Sequence, residues 1–144
     1  MEALVIDTSV MAKWYVVPRE DGFDRAERIL RSHARGEQEL HVPELAVYEI
    51  GNVLWRLSPQ RLGHAPGEHL ANVFALHLSL YSVTLPRALL AFELAERFRM
   101  SFYDACFVGL AQELGAPLVT ADERLCRQAQ ALPFVHSLAS FALP

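Results

Sequence analysis

Met1-Glu2-Ala3-Leu4-Val5-Ile6-Asp7-Thr8-Ser9-Val10 is an apolar run that ends abruptly on a carboxylate. Leu4, Val5 and Ile6 read as a short strand buried on both faces, which implies a covered, parallel sheet. In such sheets ligands bind in the crevice beyond the strands' carboxyl ends, and Asp7 is placed there.

Outward from that strand, helical and extended segments alternate. Residues 9–17 predict a short helix, with a loop over 18–22. Residues 23–34 carry Phe23, Ala26, Ile29 and Leu30 at helical spacing, with Arg25, Glu27, Arg28 and Arg31 opposite. Strands follow at 40–43, 81–85, 117–120 and 134–138. Helices fill 44–57, 69–80, 86–98, 102–114 and 122–132, with Phe74 and His77 of the second and Leu89 and Phe92 of the third at the spacing of a buried face. Gly63, Pro66 and Gly67 mark a turn. The pattern predicts an α/β fold, with a mainly parallel sheet of about five strands flanked by helices, in one domain over 1–144.

The 144 residues are 52% hydrophobic, enough for a core without disulfides or a structural metal. A net charge of −4 gives no bulk positive field for a polyanion. The basic residues are Arg apart from Lys13, which favours forked contacts with phosphate or carboxylate. Cys106 and Cys126 form no zinc or disulfide pattern, and no long apolar run or leader is visible, so the expectation is a soluble cytoplasmic protein. The six histidines make no metal motif, and no glycine-rich phosphate loop is present.

Four acids sit among apolar or small residues: Asp7, Glu49, Asp104 and Asp122. Helix capping alone could explain three of them. Asp7 precedes a helix, while Ser101-Phe-Tyr-Asp104 and Thr120-Ala-Asp-Glu123 fit capping boxes. Glu49 lies mid-helix, where no cap is needed, on a line with Asn52 and Arg56 that a solvated face would also explain. Asp7 and Asp122 should nevertheless leave the same sheet edge. Two carboxylates at about 4 Å repel by about 4 kcal/mol at an effective dielectric of 20. A converging set therefore needs protons or a hard divalent cation, and oxygen-only ligands suit magnesium or manganese.

In this order and spacing, Val5-Ile-Asp7-Thr-Ser9-Val with Lys13-Trp14, Glu49-Ile-Gly-Asn52, Tyr103-Asp104-Ala and Val119-Thr-Ala-Asp122 resemble the PIN domain family, and within it toxin ribonucleases of the VapC type. The resemblance implies an α/β/α sandwich whose acids bind Mg2+ or Mn2+ to cut single-stranded or structured RNA. It makes Asp7, Glu49, Asp104 and Asp122 the catalytic and metal-binding set, supported by Ser9, Asn52 and Thr120. It also implies an antitoxin protein and a homodimer. Arg19, Arg56, Arg61 and Arg124 are candidates for RNA phosphates. The alternatives are a small-substrate phosphohydrolase, against which Ser9 stands where a second Asp is usual, and a non-catalytic partner-binding module.

Overall fold

A computed structural model describes residues 1–57 and 65–143. Its elements are β1 (Glu2–Ile6), α1 (Thr8–Ala12), α2 (Phe23–Ala34), β2 (Gln38–Pro43), α3 (Leu45–Arg56), α4 (Pro66–Ala75) and β3 (Ser79–Tyr81). They continue with α5 (Leu85–Phe98), α6 (Phe102–Leu114), β4 (Leu118–Thr120), α7 (Glu123–Gln128) and β5 (Val135–Ser137). The five strands form one fully parallel sheet in the order β3-β2-β1-β4-β5. The α/β expectation holds.

Leu4, Val5 and Ile6 are fully buried because β1 is the central strand, paired with β2 on one side and β4 on the other. Helix α6 lies against β1, β2 and β4, bringing the fully buried Phe107 into the core, and α5 packs behind it. From β1 the chain steps outward to β2 and β3, then returns to place β4 on the other side of β1. That reversal opens a crevice at the carboxyl ends of β1 and β4, the usual ligand position in such sheets.

Several boundaries differ from the sequence reading. Helix α1 stops at Ala12 rather than 17, as turns take over and Trp14 donates from Nε1 to the Ala26 carbonyl at 2.9 Å. Helix α4 covers Pro66–Ala75 rather than 69–80, because Ser79–Tyr81 is drawn into register with His41–Pro43 of β2. His77, expected on a buried face, is exposed at φ 55°. Phe74, Leu89 and Phe92 were also expected inward and are 59%, 60% and 57% exposed. Helix α7 ends at Gln128 rather than 132. Gly115 ends α6 at φ 61°, a left-handed backbone that glycine adopts without a Cβ penalty.

Ser101 caps α6 by accepting the Asp104 N–H at 3.0 Å. Ser101→Ala should lower unfolding free energy by about 1 kcal/mol, measured by urea denaturation. An unchanged midpoint would show that the cap contributes nothing. No helix among the described residues is long and apolar enough to cross a membrane.

Candidate active site

The Asp7 N–H donates to the Val119 carbonyl at 2.9 Å, one step past the last paired residue of β1, so the ladder itself delivers this carboxylate to the crevice. Its backbone is the N-cap of α1, yet the side chain makes no capping hydrogen bond of good geometry. Instead Asp7 Oδ2 accepts the hydroxyls of Ser9 at 2.6 Å and Thr120 at 2.9 Å. Both hydroxyl oxygens accept backbone N–H groups in turn, from Ala121 at 2.9 Å and Asp122 at 3.0 Å. A hydroxyl has one proton to give, and the backbone donors turn both toward Asp7.

Asp7 is only 6% exposed, and burial raises its carboxyl pKa above the usual range. The Ser9 and Thr120 hydroxyls and the nearby Ser9 N–H pull it back, while the charge of Asp122 adds to the rise. Glu49, half-buried on α3, accepts the Thr8 hydroxyl through Oε1 at 2.9 Å. Burial raises its pKa, Thr8 opposes, and the charges of Asp7 and Asp104 add. Asp104, in the first turn of α6, is raised by burial, then by Asp7 and less by Asp122, against Ser101 and Arg124. Asp122 caps α7, accepting the N–H groups of Arg124 at 2.9 Å and Leu125 at 3.3 Å.

The fold thus brings all four acids to one edge, with Asp7 coupled to each of the others. They do not close on a point: among the described residues no three His, Cys, Asp or Glu side chains stand together as a metal cage. Glu49 is turned to Thr8 and Asp122 to α7, so each commits one oxygen elsewhere. The donors still fit a hard divalent cation, being carboxylate oxygens whose like charges and burial resist ionisation until a cation compensates them.

Two details differ from the sequence reading. In the stretch from Thr120 to Glu123 the cap is Asp122, while the Thr120 hydroxyl serves Asp7. Asn52, named as support for Glu49, is exposed, and the group that holds Glu49 is Thr8. Sequence position alone could have suggested Thr8, which directly follows Asp7. Among the arginines, Arg124 is close enough to Asp104 to lower its pKa. Arg19 lies over the Phe23 ring at 4.1 Å, Arg56 is exposed at the end of α3, and Arg61 lies outside the described residues.

The PIN domain family model matches residues 4–131. Ribonuclease VapC3 of Pyrobaculum aerophilum is 34% identical over 137 residues, spanning 90% of this chain and 96% of that protein. Among solved structures, the sarcin-ricin loop cleaving toxin VapC20 of Mycobacterium tuberculosis superposes with a TM-score of 0.68 at 19% identity, covering 98% of this chain and 99% of that one. VapBC2 of Rickettsia felis, bound to a DNA fragment from its promoter, gives a TM-score of 0.65 at 10% identity, covering 94% and 98%. With a five-stranded parallel sheet flanked by helices and a family match over most of its length, the chain belongs to the PIN domain family.

Proposed function

We propose that residues 1–144 form a single catalytic domain, a divalent-metal-dependent endoribonuclease that serves as the toxin of a toxin-antitoxin pair in the cytoplasm. The observation that carries this reading is the buried Asp7 carboxylate at the β1–β4 crevice, surrounded by Glu49, Asp104 and Asp122. Similarity to Ribonuclease VapC3 supports RNA as the substrate.

Asp7, Glu49, Asp104 and Asp122 would hold Mg2+ or Mn2+. When bound, such an ion makes water a stronger acid and stabilises negative charge at a phosphate. Ser9 and Thr120 fix the Asp7 carboxylate, so it is oriented before substrate arrives. Thr8 fixes Glu49 in the same way. Arg124, close enough to Asp104 to lower its pKa, is a cation that would meet a phosphate of the RNA.

Thr120→Val keeps the shape of the side chain and deletes the hydroxyl held between Asp7 and the Asp122 N–H. Cleavage of a single-stranded RNA with Mg2+ should slow by about tenfold, the effect typical of losing a group that orients a metal ligand. Wild-type rates in Thr120→Val would remove the hydroxyl from the mechanism.

The acidic crevice suits an antitoxin segment bearing arginine, and the VapBC2 structure supports such a partner. A homodimer is the further assembly proposed, supported by the exposed stripe Leu85, Leu89 and Phe92 along α5. A small-substrate phosphohydrolase fits less well, because Ser9 stands where a second Asp is usual and its hydroxyl is given to Asp7 Oδ2 at 2.6 Å. The non-catalytic module leaves unexplained why four acids meet where only Asp122 caps a helix through its side chain.

A further inference from the structure

An apolar cavity of about 250 Å³ opens beside the carboxylates, at the carboxyl ends of β2 and β3 and between α3, α5 and α6. Nothing in the metal chemistry requires it. Its floor includes Cys106 and Leu110, and Tyr48 and Tyr103 belong to its lining. These two tyrosines are 72% and 61% exposed, and each immediately precedes one of the acids, Glu49 and Asp104. Cavity and acids also share their helices, since Tyr48 stands on α3 with Glu49, and Tyr103 and Cys106 stand on α6 with Asp104.

The cavity's charge is as informative as its shape. Arg87 belongs to the lining, but its guanidinium donates to Glu113 at 2.9 Å and to the Ser82 carbonyl at 2.9 Å, and it lies over the Tyr81 ring. The arginine is thereby neutralised by its own fold and is not presented to a phosphate. With Arg87 paired and Glu44 its other charged group, this aromatic-lined cavity does not attract a nucleic-acid backbone, yet it is the environment in which an unstacked base is held, between aromatic faces and polar edges.

We infer that this cavity is a base-binding subsite, which takes one unpaired nucleobase of the RNA next to the phosphate held at Asp7, with Tyr48 and Tyr103 as its stacking faces. The inference rests on the nuclease reading for its substrate and deepens it: the enzyme selects RNA in which a base beside the cut can be turned out of its stack. The cost of turning out a base is lowest in single strands and loops, so paired RNA is disfavoured without any contact to its sequence.

The test uses a short oligoribonucleotide with 2-aminopurine at one position, a matched set carrying a single abasic site at each position in turn, and the variants Tyr48→Ala and Tyr103→Ala. In Mg2+, wild type should cleave normally except where the abasic site falls beside the cut, and there kcat/KM should fall by about five- to hundredfold, the worth of one stacked base. Each variant should lose a similar factor on the intact strand and no further factor on that abasic strand. Equal losses on both strands would mean a purely structural role for the tyrosines and overturn the subsite. Quenching of 2-aminopurine is read separately on metal-free protein, where no cleavage is needed. Quenching by wild type but not by the variants supports the subsite even if no RNA is cut, so the two readings fail independently. Absence of quenching overturns the subsite even if RNA is cut. Sedimentation that shows a dimer dissociated by Tyr48→Ala and Tyr103→Ala, with quenching unchanged, would assign the cavity to a second copy of the chain instead.

Discussion

Asp7→Asn is expected to reduce Mg2+-dependent RNA cleavage by at least about a hundredfold, at the upper end of what deletion of a supporting group costs, because here the ligand itself is altered. The substitution is nearly isosteric. An Asn oxygen can still accept the Ser9 and Thr120 hydroxyls, so the geometry now held at 2.6 and 2.9 Å has no reason to collapse. What disappears is the negative charge, together with its affinity for a divalent ion. Folding should not suffer, since burial already disfavours the ionised form of Asp7. A protein as stable as wild type and inactive on RNA is therefore the expected pair of results. Undiminished cleavage by Asp7→Asn, assayed on a single-stranded RNA with Mg2+, would falsify the assignment of Asp7 and with it the centre of the proposed mechanism.

How far the sequence carried depends on which interactions are local. The doubly buried triplet Leu4, Val5, Ile6 was legible because a central parallel strand needs apolar residues on both faces, and the step to Asp7 marks where the cover ends. The same logic placed Thr120 and Asp122 at the next strand's edge. The order of strands was not legible, since residues 38–43 and 118–120 both pair with β1 through contacts distant in sequence. The extent of α1 and α4 was overestimated for a related reason. Periodicity continues past Ala12 and Ala75, but the Trp14 indole bonds to Ala26 and Ser79 pairs with His41, and neither partner is visible locally. At the site, the four acids and, through the resemblance, the Ser9 and Thr120 hydroxyls that hold Asp7 could be named, but the partner of Glu49 could not. Asn52 lies one turn beyond Glu49 and looked like its support, whereas Thr8 reaches Glu49 across 41 positions. The inward reading of Leu89 and Phe92 failed because α5 is an outer layer behind α6, with only part of its circumference covered.

Stability measured without divalent ions is expected to fall as pH rises through the range in which Asp7, Glu49 and Asp104 ionise. Burial is the largest cause of the rise in all three pKa values, and their mutual charges add to it. Between the ordinary carboxyl values of the unfolded chain and these raised values, the folded state holds protons that the unfolded state has released. Its stability therefore declines with pH across that window, is undiminished below it and is fully reduced above it. Glu37, Glu39 and Glu113 act in the opposite sense, their pKa values lowered first by Arg35, Ser79 and Arg87 respectively. Comparison with Asp7→Asn separates the two: the variant lacks the Asp7 contribution and should decline less. Added Mg2+ binds the ionised carboxylates and should restore more stability at pH 8 than at pH 5. At a free concentration a hundred times its dissociation constant the ion contributes about 2.7 kcal/mol, which for a chain of 144 residues corresponds to a rise in Tm of roughly 8 °C. Differential scanning calorimetry at the two pH values, with EDTA or Mg2+, reads both effects. A wild-type Tm at pH 8 indifferent to Mg2+ would mean that the four acids do not form an ion site, whatever their effect on one another's protons.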